Sequence, residues 1–170
     1  MDQGIEWLNA LSSEEAQERF LSCCGSTNWV RRMTEEQPFA SAEALLTTAE
    51  KIWWSLNQED WFEAFRSHPK IGEQKAAATI STDAQQWSKQ EQSSMSQAAS
   101  DTRRELAHLN EQYEHKFGYI YIVCATGKSP EEMLSILKRR MDNAPAEELR
   151  VAAAEQARIT ELRLKKLLEQ

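Results

Sequence analysis

The sequence is poor in the residues that punctuate sheets and staple small secreted folds. It holds 5 glycines and 4 prolines among 170 residues, too few for an all-β fold with a turn roughly every ten residues. Its three cysteines, two of them adjacent at Cys23 and Cys24, make no disulfide framework, and an odd count points to a reducing, cytoplasmic setting. A run of about 18 apolar residues is missing, which removes a transmembrane helix. The first residues lack the basic-then-apolar pattern of a secretory signal. Basic residues do not predominate: 20 stand against 27 acidic ones, for a net charge of −7. That balance argues against nucleic acid as a partner, because phosphate binding calls for a concentrated basic surface. A Gly-rich phosphate loop, a Gly-x-Ser-x-Gly elbow and a Cys-x-x-Cys pair are also lacking.

What remains is a chain with 41% apolar and 28% charged residues, long enough to bury one core. It reads as helices from end to end. Ser12 with Glu15 makes a capping box that opens a helix toward Gly25. Asn28 to Met33 reads as a short helical turn. Ser41 starts a helix with Leu45, Ala49, Ile52, Trp53 and Leu56 at helical spacing. Asn57 with Asp60 starts another, with Trp61, Ala64, Phe65 and His68 on one side and Pro69 as its stop. Residues 70–87 lack a period and read as a connection. Ser88 with Glu91 forms a second capping box, predicted to open the longest helix, which runs to about Lys116 with Met95, Ala98, Ala99, Thr102, Leu106, Leu109 and Tyr113 as its stripe.

Tyr119 to Cys124 is the only strand-like run. One strand makes no sheet, so an extended segment threaded through a helical core is expected. Ser129, Pro130 and Glu132 together mark a helix start, and the last helix is predicted from about Ala146 to Leu168. The expectation is an all-α, single-domain helical bundle over residues 1–170 with one short extended segment.

Chemistry is sought among ionisable residues that fall on apolar stripes. At about 100° per residue, Leu149, Ala152, Gln156, Ile159 and Leu167 cluster within an arc of roughly 80°, and Arg163 falls in its middle. An inward guanidinium needs a carboxylate, carbonyls or a bound anion; a structural salt bridge and a snorkelling side chain both satisfy this. Glu91 lies on the stripe of the long helix, where it serves either as a capping residue or at the edge of a cavity. His68 lies on an apolar face at a helix end, as a hydrogen-bonded core residue or as a proton carrier near neutral pH. His108 and His115 point away from their helix's stripe, and no Cys, His or carboxylate set shows zinc spacing.

Several strings occur in order: Ser67-His68-Pro69-Lys70-Ile71-Gly72-Glu73, Ser88-Lys89-Gln90-Glu91-Gln92, and Lys116-Phe117-Gly118 running on to Cys124-Ala125. Leu137 to Asn143, Glu148-Leu149 and Ile159 to Leu164 follow. Over essentially the whole chain this series resembles the 2-oxo-4-hydroxy-4-carboxy-5-ureidoimidazoline (OHCU) decarboxylases of the urate-to-allantoin pathway. The His-Pro-Lys-Ile-Gly-Glu form looks like the bacterial variant rather than the His-Pro-Asp-Leu-Ala-Gly of animal members. Ser93-Ser94-Met95 departs from the more usual Ala/Gly-containing continuation.

The resemblance implies an all-α, commonly homodimeric enzyme that uses no metal or organic cofactor and takes a small-molecule ureidoimidazoline to (S)-allantoin. It places the catalytic histidine on His68, the active-site glutamate on Glu91 and the arginine of the Leu-Arg-Leu string on Arg163. It also implies substrate contacts from Pro69, from Ser88 to Gln92, and from the segment Tyr121, Ile122, Val123, Cys124 and Ala125. A non-catalytic helical interaction module on the same scaffold is the competing expectation.

Overall fold

The computed structural model describes residues 2–70, 82–91 and 100–170. Among the described residues there are nine helices and no strand: α1 (Asp2–Ala10), α2 (Ser13–Cys23), α3 (Thr27–Glu35), α4 (Ala42–Ser55), α5 (Gln58–Arg66), α6 (Thr82–Glu91), α7 (Ser100–Phe117), α8 (Pro130–Arg140) and α9 (Pro145–Leu167).

The caps explain most of the boundaries. Ser12 accepts from the Glu15 N–H while the Glu15 carboxylate accepts from the Ser12 N–H, which is the reciprocal box expected at the start of α2. Ser41, Asn57 and Ser129 each accept a backbone N–H three residues on, and α8 adds Pro130 at its first turn. Gly118 follows α7 with φ of 85° and donates its N–H to Glu114 O at 2.8 Å. That left-handed turn suits glycine and ends the helix.

The long final helix organises the core. It packs against α2, α4 and α5, while α7 and α8 pair with each other. Leu149, Ala152, Gln156, Ile159, Arg163 and Leu167 are all buried, so the arc read from spacing is the inward face of α9. Indole N–H groups tie the helices by bonding carbonyls left accessible in neighbouring backbones. Trp29 donates to Ala49 O, Trp53 to Ala153 O and Trp61 to Trp53 O. Residues 119–125 form neither helix nor strand, and all but Ile120 are buried. The extended segment threaded through a helical core is therefore present.

Two expectations need correction. Ser88 and Glu91 do not open a long helix: they lie in the last turns of α6, which begins at Thr82. Residues 82–87 are accordingly helical rather than part of a connection. Ala84, Trp87 and Ser88, at i, i+3 and i+4, form the buried face of α6. The capping spacing was a coincidence of that face, because Ser88 Oγ and the Glu91 carboxylate bond to Arg163. The rest of the expected stripe at Met95, Ala98 and Ala99, the Ser93-Ser94-Met95 departure, and Ile71-Gly72-Glu73 lie outside the described residues. The sequence reading also gave no separate start for α1, whose Ile5 and Leu8 are buried and whose Gly4 packs on the Leu168 carbonyl.

Candidate active site

Four parts of the chain meet around one small cavity. Its described lining is His68 and Pro69 after α5, Ser88 and Glu91 of α6, Tyr121, Ile122, Val123 and Ala125 of the extended segment, and Ile159 of α9. Arg163 stands behind α6's contribution. Its Nε donates to Glu91 Oε1 at 2.9 Å and its Nη2 to Glu91 Oε2 at 3.0 Å, a bidentate pair. Nη2 also donates to Ser88 Oγ at 3.0 Å, and Nη1 reaches Ser22 O at 3.5 Å. The Arg163 side chain is 4% exposed and that of Glu91 10%, so the pair works in a medium drier than the surface.

His68 ends α5. Its N–H bonds Phe65 O at 3.2 Å, and Pro69 prevents the helix from continuing. Gly25 allows the close approach of this corner: a Cβ there would lie 2.5 Å from Ser67 Cβ. The imidazole Nε2 lies 2.6 Å from Gln156 Oε1, and Gln156 Nε2 donates to Thr160 Oγ1 at 3.1 Å. Burial, then the Arg163 cation, push the imidazolium pKa down to about 4, against opposing contributions from Gln156 and Glu91. His68 is therefore a neutral base at pH 7.

A second buried ion pair holds the extended wall. Arg140, at the end of α8, donates to Glu148 Oε2 through Nε at 2.9 Å and Nη2 at 2.6 Å, and through Nη1 to Ile122 O at 2.7 Å. Glu148 is 0% exposed. It also accepts from Asn143 Nδ2 at 3.0 Å and from the Tyr113 hydroxyl. The Arg140 guanidinium carbon sits 4.9 Å from the Tyr121 ring centroid. Tyr121 OH donates to Met133 O at 3.0 Å, which leaves its backbone, not its hydroxyl, to the cavity.

The structure thus brings His68, Pro69, Ser88, Glu91, Tyr121, Ile122, Val123 and Ala125 together, with Arg163 bonded to two of them. Cys124 is buried in the same segment but is not part of the described lining; its carbonyl accepts from Lys128 Nζ at 2.7 Å. Gln92 lies outside the described residues. Sequence reasoning missed Gln156, Arg140, Glu148 and Tyr113 as polar parts of this region, although the signal was present. Arg140 falls at i+7 from Met133 and i+3 from Leu137, and Glu148 at i−4 from Ala152, each on the buried side of its helix. His108 and His115 are exposed, and among the described residues no group of three His, Cys, Asp or Glu side chains is placed to hold a metal ion.

A helical fold that sets a neutral, half-buried imidazole in one cavity beside a carboxylate–guanidinium pair brings together groups suited to acid–base chemistry on an all-α scaffold. The chain belongs to the OHCU decarboxylase family, whose model matches residues 9–165. A bifunctional uric acid degradation protein of Arabidopsis thaliana is 38% identical over 158 residues; the match covers 92% of this chain but 48% of that one, so this chain spans about half the length of that relative. The 2-oxo-4-hydroxy-4-carboxy-5-ureidoimidazoline decarboxylase of Haloferax volcanii is 27% identical over 161 residues, covering 94% and 93% of the two chains. A crystal structure of an OHCU decarboxylase in the presence of (S)-allantoin superposes with a TM-score of 0.77 at 37% identity, covering 90% of this chain and 99% of that one. An (S)-allantoin synthase shares the fold at a TM-score of 0.72 and 15% identity, over 96% of this chain and 53% of that one. Among the described residues no helix is long and apolar enough to cross a membrane.

Proposed function

We propose that the cavity between α5, α6, α9 and the extended segment decarboxylates 2-oxo-4-hydroxy-4-carboxy-5-ureidoimidazoline to (S)-allantoin. The chain is a carboxy-lyase of urate degradation, and its substrate is a small ureidoimidazoline. One ring carbon of that substrate carries both a carboxylate and a hydroxyl, beside a C=N bond. When the bond to the carboxylate breaks, its electron pair moves into the ring and the imine nitrogen takes up a proton. The resulting enol loses its hydroxyl proton, and the neighbouring carbon gains one on a single face. Substrate anion plus one proton therefore gives allantoin and CO₂. The ring is its own electron sink, so the chain's task is orientation, charge stabilisation and proton delivery.

His68 moves the proton at the hydroxyl-bearing carbon. Glu91, with Gln92, holds the ureido and ring N–H groups, and Ser88 and Pro69 shape the side of the cavity next to them. Arg163 fixes Glu91 and supplies positive potential to an anionic substrate. Tyr121, Ile122, Val123, Cys124 and Ala125 offer backbone groups along the extended wall. The observation that supports this reading is a neutral, half-buried imidazole in the same cavity as Glu91, whose carboxylate is paired with Arg163. His68→Ala is expected to keep its circular-dichroism spectrum and melting temperature while losing at least about a hundredfold in the rate of optically active allantoin formation from fresh substrate. Near-normal turnover in that variant removes His68 from the mechanism.

The same reading makes the enzyme a cytoplasmic homodimer. Trp54, 39% exposed beside the groove between α4 and α9, supports a self-association surface. Sedimentation velocity is expected to give twice the 19.5 kDa of one chain; a monomer at micromolar concentration rejects that part.

A further inference from the structure

The amide of Gln156 has two ends, and both are engaged. Its Nε2 turns to Thr160 Oγ1 at 3.1 Å, which leaves Oε1 against His68 Nε2 at 2.6 Å. The Thr160 hydroxyl lies beside the buried Cys24 thiol, whose ionised form it favours against the effect of burial. Gln156 and Thr160 are buried and His68 is half-buried, so the amide end of this chain of bonds lies away from solvent. A carbonyl oxygen only accepts. With the amide in this orientation, the imidazole nitrogen facing Oε1 carries the hydrogen.

We infer that Gln156, oriented by Thr160, is a positioning residue that locks His68 in the Nε2–H tautomer and leaves Nδ1 as its basic nitrogen. The inference rests on the reading of His68 as the proton carrier and adds the direction of its first transfer. His68 enters the cycle as a base: Nδ1 takes the hydroxyl proton, the ring becomes imidazolium, and the Gln156 carbonyl stays bonded to Nε2–H throughout. An amide suits this task better than a carboxylate would, because a negative partner would favour the imidazolium from the outset. The charged groups acting on the ring are Arg163 of α9 and Glu91 of α6, which oppose one another.

The test reads the tautomer directly and without substrate. The chain has three histidines, so ¹⁵N-histidine labelling with long-range ¹H–¹⁵N correlation gives three ring patterns, and His68→Ala identifies the one that disappears. The wild-type enzyme is expected to show a protonated Nε2 and an unprotonated Nδ1 at His68 near neutral pH. Gln156→Leu removes the acceptor and is expected to give exchanging tautomers, with kcat lower by at least about tenfold and KM little changed. Thr160→Val, which frees the amide without emptying its place, is expected to shift the pattern the same way. Gln156→Glu keeps an acceptor at Nε2 and is expected to retain the tautomer and raise the ring's pKa above its wild-type value.

An Nδ1–H pattern in the wild-type protein overturns the inference. So does a wild-type tautomer and kcat in both Gln156→Leu and Thr160→Val. Full turnover by His68→Ala overturns the parent reading instead, and the ligand-free spectrum distinguishes the two failures.

Discussion

A single side chain at the end of α5 links folding to acidity. In the unfolded chain the His68 imidazole takes up its proton near pH 6.5, and in the folded one near 4. Between those values the unfolded state binds more protons, so stability falls as the pH drops and levels off below about 4. This one group contributes a slope of at most about 1.4 kcal/mol per pH unit. Urea unfolding of the wild type between about pH 7 and pH 5 is expected to show that loss, and His68→Asn is expected to flatten the slope. Identical slopes in the two proteins would mean that the native ring binds its proton as readily as the unfolded one. Spacing alone found this residue and Arg163, because an ionisable group on an apolar arc is visible in one dimension. Their partners were harder to see: Glu91 lies 72 residues from Arg163 and Gln156 lies 88 from His68. No local pattern specifies a bond across such a distance.

The extended segment is an element held by its neighbours rather than by its own hydrogen bonds to a sheet. Arg140 grips the Ile122 carbonyl with one nitrogen and Glu148 with two others. Removing one charge strands its partner in a dry site. Glu148→Ala is therefore expected to lose about 3–5 kcal/mol in chemical denaturation, and replacing both members by Arg140→Met with Glu148→Leu to lose less. The double variant still lacks the bond to Ile122 O, so its kcat/KM is expected to remain low after stability has partly recovered. If the double variant proved the less stable of the two, the pair would contribute net stabilisation beyond cancelling its own burial. The elements themselves were legible where capping chemistry was local, as at Ser12, Ser41, Asn57 and Ser129. The same rule misread Ser88 and Glu91, whose side chains bond to a distant guanidinium instead of their own helix end. Correct spacing for a cap is necessary but does not say which donor the side chain meets.

At the scale of the whole molecule, the helical class followed from composition and period together, since few glycines and one isolated apolar run leave no sheet to build. The arrangement of α9 at the centre did not follow, because the sequence shows which face of a helix is buried but not which helices cover it. The substrate's own imine accepts the electron pair released with CO₂, so turnover is expected to be unchanged by EDTA in steady-state assays; inhibition reversed by an added divalent ion would require a different chemistry.

Trp29, Trp53, Trp61 and Trp87 are buried, and the last of them immediately precedes Ser88 in the cavity lining. Native emission from these indoles is consequently expected to lie to the blue of a solvated tryptophan, and to move to the red on denaturation. The enzyme also carries a fluorophore one peptide bond from where allantoin would lie, so occupancy of that hollow is open to optical titration with no label attached.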